Sequence, residues 1–146
     1  MKRLYHICLV LWAVCNIGCS TEQQSSSPPA PALTVVSWNL EWFPGKDDQT
    51  AARRMKEVHQ ALIEIDADIY LFQEMADFES VEQLVDGLPG YEVHVVSNFK
   101  YGNRPAKQQL AIVSRFPAHS AFAETFKTPE GSRAPPRGFS FAALED

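Results

Sequence analysis

The sequence predicts an α/β fold, and three observations carry that prediction. A strand-like apolar run, Leu33–Trp42, is followed by a long stretch with helical periodicity, and a second apolar run, Asp68–Met75, comes directly after it. Strand, helix and strand in that order make a βαβ unit, whose strands run parallel with a right-handed crossover. Further short runs rich in β-branched and aromatic residues, separated by Gly and Pro, add strands downstream.

The first strand holds Val35, Val36, Trp38, Leu40, Trp42 and, just past it, Phe43, bulky residues of the kind that fill a buried strand. Asn39 interrupts them. Asparagine is depleted in strands, and its amide costs about 1–3 kcal/mol if buried without partners. Pro44-Gly45 stops the run. In "KDDQTAARRMKEVHQALIEIDAD" that follows, Met55, Val58, Leu62 and Ile65 recur at helical spacing, and Asp47 or Asp48 is placed to cap the first turn. His59 lies beside this stripe and reads as a helix-surface residue rather than a ligand.

The second strand, "DIYLFQEM", ends in Gln73-Glu74. Phe78, Val81, Leu84 and Val85 mark a short helix closed by Gly87 and Pro89-Gly90. The stretches "YEVHVVSN", "QQLAIVSRFP", "HSAFAETF" and "RGFSFAAL" read as strands three to six, with "KTPEGSRAPP" as the loop before the last. His94 reads as ordinary strand surface.

Parallel strands of a βαβ unit end on the same edge of the sheet, where open α/β sheets hold ligands. Asn39 lies near the end of the first strand and Glu74 at the end of the second, so as neighbours they bring both side chains to one rim. A carboxylate there is costly without a counter-charge. A hard divalent cation such as Mg²⁺ is a fitting partner, because it takes one or two carboxylates and leaves its other positions to water and substrate phosphate. The plainer alternatives are that Glu74 is a solvated residue opening the next loop and that Asn39 hydrogen-bonds nearby backbone.

The N-terminal end has a different character. Lys2 and Arg3 precede the apolar "LYHICLVLWAV" and then "CNIGCS", the pattern of a secretory signal, and the apolar part is shorter than a spanning helix requires. "NIGC" resembles the lipobox of bacterial lipoproteins, which implies lipidation at Cys19 and a membrane-anchored or secreted, exported protein. Asn16 departs from the aliphatic residue usual there. Residues 1–19 are therefore expected to be a signal, 20–32 a Ser/Gln/Pro-rich tether and 33–146 the domain. All three cysteines lie at or before Cys19, so the domain must hold together by packing.

The net charge of −5 argues against a passive nucleic-acid binder, though not against an enzyme that meets phosphate at a local site. There is no G-x-S-x-G elbow, P-loop, H-E-x-x-H or CxxC pair.

Three blocks in order, "VVSWNLEWF", "ADIYLFQEM" and "QQLAIVSRFP", resemble the endonuclease/exonuclease/phosphatase superfamily of metal-dependent phosphoesterases. The resemblance implies the N-terminal half of a four-layer αββα sandwich. It implies hydrolysis of phosphate esters by activated water, with nucleic-acid phosphodiesters favoured as substrate, and Mg²⁺ or another divalent cation such as Mn²⁺ as cofactor. By matching position, Glu74 is then a metal ligand, and Asn39 holds a phosphate oxygen or supports the metal shell. The family's base histidine and later blocks have no counterpart here. His59, His94 and His119 occupy none of the matching positions, so the 146 residues are expected to be inactive alone and prone to aggregate. Gln108 stands where deoxyribonuclease-like members carry an acid. A phospholipid or inositol-phosphate esterase, and an inactive membrane-tethered binding module, are the alternatives.

Overall fold

The structure is a computed structural model that describes residues 32–101, 103–106, 108–127 and 138–145. The signal and lipobox, the tether up to Pro31, most of the loop before the last strand, and Arg137 lie outside the described residues. The elements are β1 (Val35–Phe43), α1 (Asp48–Ile65), β2 (Ile69–Met75), α2 (Phe78–Val85), β3 (Glu92–Val96), β4 (Lys100–Tyr101), β5 (Arg104–Pro105), β6 (Gln109–Ser114), β7 (Ala118–Thr125) and β8 (Gly138–Leu144). The fold is α+β, as the sequence predicts. The small β4–β5 hairpin has no signal in the sequence, because two-residue strands carry no periodicity.

Four strands form the main sheet in the order β1-β2-β6-β3, with β1 and β2 parallel and β6 antiparallel to both of its neighbours. The helix α1 supplies the crossover that parallel pairing demands. Asp47 caps it, its carboxylate accepting from Thr50 N–H at 2.9 Å. That bond holds the Asp47 carboxyl below its usual range. At the other end Asp66 takes a left-handed conformation, φ 51°, and donates its N–H to the Leu62 carbonyl at 2.9 Å.

The core lies between the helices and one sheet face. Val58 and Leu62 of α1 and Val81, Leu84 and Val85 of α2 cover Tyr70, Phe72 and Met75 of β2, Ala111 and Val113 of β6, and Leu40 and Phe43 of β1. Burying each large apolar side chain contributes about 1.5–3 kcal/mol, so this layer is the main source of cohesion. Tyr70 is buried with its polar end satisfied: its hydroxyl donates to the Leu62 carbonyl at 2.9 Å and accepts from Ala67 N–H at 3.1 Å.

One expectation needs correction. β1 is an edge strand, and its residues alternate: Val36, Trp38 and Leu40 turn toward the core while Val35, Ser37 and Asn39 are exposed. Asn39 therefore does not sit inside a fully buried strand. The β7–β8 hairpin pairs separately and packs against β3 and β6. It exposes Phe122, Phe139 and Phe141, which contact one another at ring-centroid separations of 6.0 and 5.1 Å.

Candidate functional site

The carboxyl ends of β1 and β2 make the rim that carries the candidate site. Their register runs from Val35 opposite Ile69 to Asn39 opposite Gln73, then breaks and resumes with Phe43 opposite Met75. Leu40, Glu41 and Trp42 thus stand opposite Glu74 alone. This mismatch is absorbed by left-handed backbone at Glu41 (φ 44°), Trp42 (φ 57°) and Glu74 (φ 62°).

The bulge decides which way Glu74 points. Strict alternation along β2 would put Tyr70, Phe72 and Glu74 on the core face. The left-handed turn at Glu74 instead rotates its carboxylate out to the rim and returns Met75 to the core, where it is fully buried. The same device on β1 exposes Trp42, at 43%, and buries Phe43 at 0%. A non-glycine residue at positive φ costs on the order of 1–3 kcal/mol and persists only where its surroundings over-determine it.

Arg54 of α1 is part of those surroundings. Its guanidinium donates to the carbonyls of Glu41 at 3.1 Å, of Pro44 at 3.4 Å and of Leu40, and lies 5.6 Å from the Phe43 ring centroid. A planar fork with several donors suits a set of converging carbonyls that a lysine could not satisfy together.

Asn39 and Glu74 meet directly. Asn39 Nδ2 donates to Glu74 Oε1 at 3.2 Å, and Asn39 Oδ1 accepts from Glu41 N–H at 2.9 Å. Because a backbone N–H can only donate, this second bond fixes which end of the amide is oxygen. Asn39 thus bonds local backbone and reaches the carboxylate at once. Glu74 Oε2 accepts no hydrogen bond among the described residues.

None of the three described histidines is bonded to this pair. His59 Nδ1 lies 2.8 Å from the Leu84 carbonyl and ties α1 to α2. His94 Nε2 lies 2.8 Å from Ser114 Oγ, at the opposite edge of the sheet, where Ser114 pairs with Ile69 at the start of β2. His119 is exposed on β7, its Nδ1 3.9 Å from Glu145 Oε1. The sequence suggests plain surface positions for His59 and His94, but both are half-buried and tie neighbouring elements together.

Sequence reasoning singled out Gln108, which is exposed, and passed over its neighbour. Gln109 is 2% exposed and begins β6 beside Met75. It accepts from Ser97 Oγ at 2.7 Å and Phe99 N–H at 2.8 Å and donates to the Phe99 carbonyl at 3.1 Å and the Ala106 carbonyl at 2.5 Å. It therefore anchors the segment carrying β4 and β5, whose Lys100 and Arg104 are exposed at this same end of the sheet. The available signal was alternation, since Gln109, Ala111 and Val113 share the buried face of one strand.

The donor set suits a hard divalent cation. Mg²⁺ needs only one or two protein carboxylates, the remainder being water and phosphate, and among the described residues Glu74 offers an oxygen without a hydrogen-bond partner. Among the described residues no cluster of three or more His, Cys, Asp or Glu is present. Glu74 is the carboxylate that Asn39 holds at this rim, and Glu41 stands across the bulge from it.

Comparison with known proteins agrees with the residues. No curated protein matches the chain. Two solved structures resemble it, both from Bacteroides thetaiotaomicron. A mannosyl-6-phosphatase is 23% identical with a TM-score of 0.55, over 76% of this chain and 45% of its own. An endonuclease/exonuclease/phosphatase family protein is 21% identical with a TM-score of 0.49, over 75% of this chain and 45% of its own. The chain thus spans less than half the length of the structures it matches. The family profile described as "Endonuclease/Exonuclease/phosphatase family" matches residues 36–145, nearly the whole described region, and the chain belongs to that family.

Proposed function

We propose that these residues form the metal- and phosphate-holding part of a phosphoesterase that hydrolyses nucleic-acid phosphodiesters with activated water. The observation that supports this reading best is the Asn39–Glu74 hydrogen bond at the shared rim of two parallel strands, with Glu74 turned outward by a left-handed residue. Glu74 is the residue that would hold Mg²⁺ or Mn²⁺. Asn39 fixes the carboxylate's rotamer, and with its oxygen taken by Glu41 N–H it serves the metal shell through Glu74. A cation bound there would polarise a phosphoryl oxygen and stabilise the leaving oxygen.

The exposed cations Lys100 and Arg104 lie at the same end of the sheet and favour an anionic substrate. No histidine among the described residues stands at this rim to take a proton from water, so hydrolysis by this chain alone is not expected. Lipidation at Cys19 would place the domain at a membrane surface. Among the described residues no helix is long and apolar enough to cross one.

The test is a calorimetric titration of the purified chain with Mn²⁺, alongside an assay on bis(p-nitrophenyl) phosphate. Cation binding that is lost in Glu74→Ala, without turnover in either protein, is the expected result. Equal Mn²⁺ affinity in the wild type and Glu74→Ala would remove Glu74 as the ligand. Turnover that depends on Glu74 would keep the site and overturn the inactivity.

A further inference from the structure

Trp42 is an expensive residue where it stands. It is 43% exposed, and it adopts φ 57° in the bulge opposite Glu74. Scattered exposed aromatics are common on soluble proteins. A bulky residue at positive φ is not, and glycine or asparagine would take this backbone with less strain. The strain is also held in place: the carbonyls of Leu40 and Glu41, just before Trp42, both accept from the Arg54 guanidinium, and the next residue, Phe43, is fully buried. Trp42 therefore stands half-exposed on an anchored backbone, in the bulge opposite the candidate metal ligand.

We propose that Trp42 is a stacking platform for the nucleobase adjoining the phosphate held at Glu74. The inference rests on the phosphoesterase reading above and names the part of the substrate that reading leaves open. Glu41, which precedes Trp42, is exposed, and Glu74 stands across the bulge, so this side of the rim is unfavourable to a second phosphate. Those carboxylates turn an anionic group away from the ring, and on a nucleic-acid substrate the part next to the phosphate that carries no negative charge is the base with its sugar. A planar base covers an indole face most fully, and base–aromatic stacking tolerates any sequence because every base has a π-face. Since the platform is set before substrate arrives, little ordering entropy opposes the contact.

The test compares binding of dAMP and deoxyribose 5-phosphate to the full chain by calorimetry, in the presence of Mg²⁺. In the wild type dAMP binds about 10-fold tighter, the base adding its stacking to the shared phosphate. In Trp42→Ala that preference disappears while deoxyribose 5-phosphate binds as before, and Trp42→Phe retains most of it. Because Trp42 is exposed, neither variant removes core packing. A preference that persists in Trp42→Ala, equal binding of the two compounds to the wild type, or no binding of either compound overturns the proposal. Glu74→Ala separates the two levels: it should weaken both compounds alike. If it weakens neither while the base preference still depends on Trp42, the phosphate site is wrong and the platform stands.

Discussion

Asn39 and Glu74, 35 positions apart in the chain, are joined by a 3.2 Å hydrogen bond from the Asn39 amide to the Glu74 carboxylate. The same amide's oxygen accepts from Glu41 N–H. Removing it frees the carboxylate to rotate and leaves the bulge N–H without its partner. Groups that orient a metal ligand typically change metal affinity 10–100-fold. Asn39→Ala is therefore expected to weaken Mn²⁺ binding about 10-fold while leaving secondary structure intact, measured by calorimetry and far-ultraviolet circular dichroism. Unchanged affinity would mean that the bond has no part in holding the cation.

This pairing was partly legible in the residues. A βαβ unit forces parallel strands, so neighbours β1 and β2 had to end on one rim, and Asn39 and Glu74 had to approach each other. The register was not legible, because it places Asn39 opposite Gln73 rather than Glu74. What brings Glu74 back is left-handed backbone at three residues that are not glycine, and nothing in "LEW" or "QEM" announces it. Arg54 and Gln109 escaped for a related reason. Their importance comes from carbonyls and amides of distant segments, and a sequence shows side chains, not the backbone groups that converge on them.

Arg54 gives a direct measure of how much the bulge depends on outside support. Its carbonyl bonds and its contact with the Phe43 ring are lost together in Arg54→Ala, while the strain at Glu41 and Trp42 remains. Charge-assisted hydrogen bonds contribute about 1.5–3 kcal/mol each when shielded, and these are partly exposed, so a total loss of about 2 kcal/mol is expected. Arg54→Lys should recover less than half of it, because one ammonium cannot follow the fork. Urea denaturation of the three proteins checks this, and equal stability of all three would show that the bulge is self-supporting.

Tyr91 supplies a pH dependence whose sign can be worked out. Its hydroxyl donates to the Ala67 carbonyl, and the ring lies under the Arg115 guanidinium at 4.5 Å. Burial of the phenol, reinforced by neighbouring Tyr70, raises its pKa above the ordinary 10.0. A raised folded-state pKa means that the neutral phenol's contribution is fully present below pH 10 and is lost as pH rises through the folded value. Tyr91→Phe should therefore cost about 1 kcal/mol at neutral pH, and the gap from the wild type should close in alkali above about pH 10. Urea midpoints at neutral and alkaline pH read out both halves, and a gap that widens with pH would contradict the direction.

Gly138 begins β8 where two segments close on it, and its case turns on space rather than on backbone freedom. A Cβ built there would stand 2.1 Å from the Glu124 carbonyl oxygen and 2.6 Å from two atoms of the Phe99 ring. The carbonyl belongs to the paired strand β7, so it cannot yield without breaking the β7–β8 ladder, in which Thr125 pairs with Gly138 and Glu124 with Phe139. The Phe99 ring has little room to swing aside, because Phe99 is itself buried and its backbone is fixed by two bonds to Gln109. Forcing even one methyl group into such a contact typically costs about 1–3 kcal/mol. Gly138→Ala is expected to fall in that range. Its signature should be selective: faster amide exchange in β7 and β8 and at Phe99, with protection kept in β2 and α1. Uniform loss of protection across the sheet would show instead that the hairpin and the βαβ unit unfold as one body.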